Sequence, residues 1–306
     1  MPLNSPMPDL KKTEKNGVLY VVATPIGNRD DITLRALDIL GQVDLIAAED
    51  TRKSGSLLAH YRIKNRLISF HEHNEKKRTP ELIGKLLDGK TIALVSTAGT
   101  PLISDPGYRL IEAAIANKIM VTPIPGVTAA IAAMSVSGLP TNSFSFIGFT
   151  PKKKAKRLKF LTELSTEPRP LIFYESPIRI LSLLEEIISC MGDRRAVLAR
   201  EMTKVHEEFV RGTVSQILRT IRARPVLKGE CTLLVAGSKA SDRIDAEVVK
   251  TEIKAALQKD QASPSEIARA ITKKYGLAKN DVYKMVLTIG GQRTKNKKRK
   301  TGNRQP

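Results

Sequence analysis

The chain has 306 residues, 41% of them apolar, enough to build cores for roughly two domains and too many for a disordered protein. Lysine and arginine number 51 against 31 acidic residues, a net charge of +20, which points to a polyanionic partner. No run approaches the ~20 apolar residues of a membrane span, and no lipid anchor or interfacial aromatic helix is present, so nucleic acid is favoured over a membrane.

Residues 1–16 lack the apolar centre of a signal peptide and read as a disordered lead-in to a protein that stays in the cytoplasm. From Gly17 to about Ser238, short β-branched runs alternate with helix-length amphipathic segments, the pattern of an α/β protein. The first series predicts strands at VLYVVAT (18–24), DLIAA (44–48), RLISF (66–70), TIALVS (91–96) and IMVTPI (119–124). Several are apolar on both faces, as buried parallel strands are. Helices are predicted over 31–40 and 80–87, with another opening at Asp105-Pro106, a capping acid followed by a first-turn proline.

Gly138-Leu139-Pro140 is a breaker cluster and marks the junction between an N-terminal α/β domain over 17–138 and a second over 139–238. The second series predicts strands at 143–149, 170–175, 195–201, 207–212 and 231–237, with helices near 156–164, 178–191 and 214–222. Residues 239–290 are helical in pattern. Ser263-Pro264-Ser265-Glu266 is a capping box, and a further helix over 278–289 follows a turn at Gly276, an arrangement shared by helix-turn-helix units and ordinary helical hairpins. Residues 291–306 form a basic tail.

Three turns rich in glycine and proline each follow a predicted strand: Thr24-Pro25-Ile26-Gly27-Asn28, Ser96-Thr97-Ala98-Gly99-Thr100-Pro101 and Pro125-Gly126-Val127-Thr128-Ala129. Ligands of open α/β folds bind beyond the carboxyl ends of strands, so three such turns together point to a nucleotide-like cofactor. None matches G-x-G-x-x-G or a P-loop, which argues against a dinucleotide or a gripped triphosphate. Polar groups follow other strands: Glu49-Asp50-Thr51-Arg52, Tyr174-Glu175-Ser176, and Arg200-Glu201 with Lys204. Acids and bases at strand ends suit a catalytic cleft, although each taken singly also suits a cap or a surface ion pair. Cys190 and Cys231 lack metal-ligand spacing, and His71 with His73 has no further ligand, so no metal site is expected.

The strings TPIGNRDDITLRAL, LIAAEDTR, FHEHNE, AGTPLISDPG, PIPG, LIFYESPIR, REMTKVHEEFVRG and KGE resemble the tetrapyrrole-methylase superfamily over about 17–237. EDTR and FYESP followed by an arginine are similar, within it, to the 16S rRNA cytidine 2'-O-ribose methyltransferases. The resemblance implies two α/β domains with S-adenosylmethionine between them, 16S rRNA of the small ribosomal subunit as substrate, and a homodimer. Its cofactor contacts fall on Pro25, Ala98, Gly99, Thr100, Ile103, Thr128, Ala129, Glu175 and Gly212. Two positions depart from the pattern: Thr97 stands where an aspartate is usual and Ala236 where a glutamate is common.

A ribose hydroxyl needs a base for its proton or a cation for its developing charge. Glu49, Asp50, Glu201 and Glu207 are the candidate bases, with Arg52, Arg200 and Lys204 as stabilising cations. Glu175 is assigned to orienting the cofactor, since a carboxylate against a sulfonium favours the ground state. Lys152, Lys153, Lys154 and Arg157, with Lys156 and Lys159, are candidate phosphate contacts. A tetrapyrrole methylase leaves the charge unexplained, and a non-enzymatic nucleic-acid binder leaves the three turns unexplained.

Overall fold

The computed structural model describes residues 16–238, 246–258, 262–275, 280 and 282–290. Strands β1 (Val18–Val22), β2 (Leu45–Ala48), β3 (Leu67–Ser69), β4 (Ile92–Val95) and β5 (Met120–Ile124) form a wholly parallel sheet in the order β3-β2-β4-β1-β5. LIAA and IALV are buried at every position because helices cover both faces. On one face, Ala36, Ile39 and Leu40 of α1 (Leu34–Gln42) and Leu58 of α2 (Thr51–His60) meet Ile46, Ala48 and Val95. On the other, Leu82 and Leu86 of α3 (Glu75–Leu87) and Leu110 of α4 (Tyr108–Ala116) meet Leu19, Ala47 and Leu94.

The second sheet is mixed. Its strands β6 (Ser145–Phe149), β7 (Leu171–Glu175), β8 (Arg195–Arg200), β9 (Glu208–Thr213) and β10 (Cys231–Val235) lie in the order β6-β7-β10-β8-β9, and β6 with β7 is the parallel pair. Helices α6 (Lys154–Glu163), α7 (Ile180–Met191) and α8 (Val214–Arg222) cover one face. In α8, Val214, Ile217, Leu218 and Ile221 recur at helical spacing and are all buried, while Arg219 and Arg222 face out near the negative end of the helix. Thr213 and Gln216 form a reciprocal capping box at its start. The other face is covered from the first lobe: Ile26 and α5 (Ala129–Ser135), through Ala130, Ala133 and Met134, pack on Ile172, Val197 and Leu234. This apolar seam joins the lobes.

Helices α9 (Ala246–Gln258) and α10 (Pro264–Tyr275) and the helical stretch 282–290 have their own small core of Val249, Ile253, Ile267, Ile271, Val282 and Val286. Ser263 and Glu266 make the expected capping box. Gly276 and the segments 1–15 and 291–306 lie outside the described residues.

Four local features differ from the sequence expectation. Helix α2 has no clear signal because Ser54 and Gly55 interrupt its apolar stripe, and α5 has none because AAIAAMS lacks a polar face. Helix α3 starts at Glu75 rather than at residue 80 and carries Pro80 inside its second turn. Asp105 does not cap the following helix: α4 begins at Tyr108, and Glu75 of α3 accepts the Arg109 amide at 2.9 Å in its stead. A cap supplied by a distant helix has no local signature.

Candidate active site

The loops after β1, β2, β4 and β5 meet at the carboxyl edge of the parallel sheet, facing the start of β10 and the end of β7 across a cleft of about 470 Å³. Backbone bonds lock these loops to one another. Thr24 and Gly99 exchange both N–H···O bonds at 2.9 Å, and the Thr100 hydroxyl donates to Val127 O at 3.2 Å. Gly99 sits at φ +80°, in the left-handed region where a side chain is strained. Of the nine sequence-derived cofactor positions, Ala98, Gly99, Thr100 and Ile103 line the cleft from one side. Thr128, Ala129 and Glu175 line it from the other.

Pro25 and Gly212 do not line it. Pro25 precedes Ile26, which does. Gly212 is displaced further: β9 runs antiparallel to β8, so its end points away from the cleft, and Gly212 borders a separate hollow of about 350 Å³ with Arg195 and Gln216. Glu175 is buried, and its carboxylate is already engaged, accepting from the Ser176 amide at 2.8 Å and the Thr150 hydroxyl at 3.0 Å while pairing with Arg179 at 3.0 Å. It braces the cleft wall.

The candidate bases separate by what they already hold. Asp50 is the N-cap of α2, accepting from the amides of Arg52 and Lys53, bonds that lower its pKa. Glu201 accepts from Lys204 at 2.8 Å and from the Glu230 amide at 3.1 Å, and its pKa is lowered, first by the lysine. Glu207 accepts from the Thr203 amide at 2.6 Å. Glu49 faces the cleft, with one oxygen accepting from the Thr97 amide at 2.8 Å.

Sequence reasoning missed Asp105, which also lines the cleft. Burial, then the negative charge of Glu49, push its pKa up to about 6, with a hydrogen bond from Ser96 opposing. The loop that aims it is strained: Leu102 and Ser104 have φ of +73° and +70°, and Gly107 lies at +134°, where a Cβ would meet Leu94 Cδ2 at 2.8 Å. Such strain persists where the surroundings force it, and it clusters at functional sites. Its sequence signal was an Asp-Pro pair, which the capping rule claimed.

Of the candidate cations, Arg200 pairs with Glu208 at 3.2 Å, and Lys204 bridges Glu201 and Glu230. The Arg52 side chain is 94% exposed. Lys53, which sequence reasoning passed over, is exposed and lines the cleft.

Lys152, Lys153, Lys154 and Lys156 are exposed at the start of α6, the positive end of that helix, with no acid in its first turn. Cations there oppose the helix dipole, a local cost that a polyanion would offset. Arg157 is a correction: it is 7% exposed, with Nε and Nη2 on Glu186 at 2.5 and 2.8 Å and Nη1 on the carbonyls of Pro151 and Lys152. Its helical position relative to Leu161 turns it inward, and its guanidinium is engaged by Glu186 and the two carbonyls rather than presented to a phosphate.

The sequence model of the family described as Tetrapyrrole (Corrin/Porphyrin) Methylases matches residues 18–218. The chain belongs to the tetrapyrrole methylase family. Among its relatives, the ribosomal RNA small subunit methyltransferase I of Escherichia coli O157:H7 is 44% identical over 282 residues, 90% of this chain and 96% of that one. The protein of the same name from Micromonospora olivasterospora is 42% identical over 271 residues, 89% and 87% of the two chains. Among solved structures, the methyltransferase CobJ superposes with TM-score 0.55 at 20% identity, covering 72% of this chain and 95% of that one. The uroporphyrin-III C-methyltransferase of Thermus thermophilus complexed with S-adenyl homocysteine gives 0.52 at 15% identity, covering 71% and 97%. These structures share the tetrapyrrole methylase fold with this chain. No helix among the described residues is long and apolar enough to cross a membrane.

Proposed function

We propose that the chain transfers a methyl group from S-adenosylmethionine to the 2'-hydroxyl of a cytidine in 16S rRNA, in the cytoplasm and on the small ribosomal subunit. The observation that carries this reading is the juxtaposition of a carboxylate-bearing cleft with an exposed basic helix start. The relatives named for small-subunit rRNA methylation support the substrate, and the charge of +20 supports a polyanion over a tetrapyrrole.

The cleft fits the methyl donor in size and chemistry. Its volume suits a nucleoside-sized ligand, Ile26, Ile103 and Ala129 offer apolar wall, and Glu49 and Asp105 offer negative charge to a cationic ligand. When bound, S-adenosylmethionine supplies a methyl group on a sulfonium, which passes to the hydroxyl oxygen by in-line displacement, the electron pair of the broken bond staying on sulfur. The protein must then take the hydroxyl proton. Asp105 is the best placed acceptor: it lines the cleft, which Asp50, Glu201 and Glu207 do not, and a pKa of about 6 makes it a stronger base than an ordinary carboxylate while leaving it mostly ionised at pH 7. Glu49 keeps that proton affinity high by its own charge.

Incubating the protein with labelled S-adenosylmethionine and unmodified small subunits, then mapping alkali-resistant linkages, tests the reading. A 2'-O-methyl blocks cleavage at its own phosphate. Label that leaves every linkage cleavable, or that enters a tetrapyrrole and not RNA, defeats it. The homodimer expected from the family resemblance belongs to the same reading and is checked by sedimentation at micromolar concentration.

A further inference from the structure

Phe149 is 57% exposed and lines the cleft. A break in strand register puts it there. In a regular strand Phe146 and Phe149, three residues apart, face opposite sides; in β6 the pairing with β7 shifts between Phe146 and Gly148, and both rings pack edge-on against Tyr174, at 5.1 and 5.9 Å between centroids. Gly148 permits this, with φ +70° and room for no Cβ, which would meet Ser104 Oγ at 2.7 Å.

The segment after the ring is clamped. Arg179 donates to the carbonyl and hydroxyl of Thr150 at 3.0 and 2.9 Å, and Arg157 donates to the carbonyls of Pro151 and Lys152 at 3.1 Å each. Two arginines turned inward thus hold a short run with an exposed ring at one end and the exposed lysines 152–154 at the other. The ring meets Tyr174 in a T-shaped contact and is more than half exposed, and the cations that begin three residues later suit the phosphate beside a base.

We propose that Phe149 is a stacking platform for the nucleobase of the acceptor nucleotide, which leaves the RNA stack to bring its ribose into the cleft while Lys152 to Lys154 hold the adjoining backbone. This rests on the RNA-methylating reading and adds the subsite that holds the base. Single-stranded RNA is commonly bound by aromatic stacking beside a basic track.

The chain contains no tryptophan, so Phe149→Trp installs a single fluorophore at the rim. The probes are a short oligocytidylate, an abasic ribose-phosphate chain of equal length, and S-adenosylmethionine alone. Quenching by the oligocytidylate only is the expected result. Equal quenching by the abasic chain overturns the stack, and quenching by S-adenosylmethionine alone assigns the ring to the donor's adenine and overturns it as well. In parallel, Phe149→Ala is expected to raise KM for small subunits about tenfold or more with KM for the donor unchanged, and Phe149→Tyr to restore it. A rise in the donor's KM instead sinks the assignment. Absence of any methyl transfer to subunits by the unaltered protein bears on the RNA-methylating reading, whereas the fluorescence reads the subsite independently.

Discussion

The amide of Thr97 donates a 2.8 Å hydrogen bond to Oε2 of Glu49, tying the turn after β4 to the end of β2. Through this bond the cleft keeps a carboxylate beside the position where the resemblance leads one to expect an aspartate. Thr97→Asp therefore adds a further negative charge next to Glu49 and Asp105. Affinity for the cationic donor should tighten by about fivefold, near 1 kcal/mol, as read by calorimetry. An unchanged affinity means position 97 is idle.

Asp105 sets a pH dependence. With Asp105 as the proposed proton acceptor, its base form takes the hydroxyl proton, and the pKa of about 6 means that kcat should fall as pH drops through 6. Glu49→Gln removes a charge that raises that pKa, so the acid limb should move to lower pH. Asp105→Asn should lower kcat by about 10²- to 10⁴-fold with donor affinity retained. A limb that stays in place in Glu49→Gln argues against Asp105 as the titrating group.

The same group affects stability with the opposite sign to an ion-paired acid. Its folded pKa lies above the unfolded one, so the folded state disfavours the ionised form, and the penalty is complete above about pH 6 and fades as pH falls toward the ordinary carboxylate range. Asp105→Asn should raise the Tm at pH 7.5, with the gain shrinking by pH 4.5. Gly107→Ala acts the other way, costing about 2 kcal/mol or more through its backbone at φ +134° and its contact with Leu94.

Arg157 and its neighbouring lysines separate by assay. Arg157→Ala strands a buried Glu186 and should cost about 3–5 kcal/mol in stability, measured by denaturant titration. Replacing Lys152, Lys153 and Lys154 together by alanine should leave stability nearly unchanged, weaken RNA binding, and flatten its salt dependence by roughly 0.9 in log–log slope for each phosphate no longer neutralised. A stability loss in the lysine variant comparable with that of Arg157→Ala would contradict the division.

Glu208 carries acid sensitivity of the usual kind. Arg224, then Arg200, hold its carboxyl down to about 2, so it stabilises the fold above the ordinary glutamate range and loses that contribution as pH falls from about 4 toward 2. Glu208→Gln should remove this part of the acid-unfolding profile, followed by circular dichroism.

The ten described strands, the capping box at Ser263, and the turns that carry Ala98, Gly99, Thr128 and Ala129 follow from hydrophobic period and local turn chemistry, which involve residues a few positions apart. The basic balance is equally legible, since charge counts need no coordinates. The inward turn of Arg157, the cap that Glu75 provides for α4, the slip in β6 that exposes Phe149, and the entry of Asp105 beside Glu49 are settled only in three dimensions. Each depends on a partner distant along the chain or on strand pairing, and neither proton affinity nor exposure exists for a side chain until the chain has folded around it.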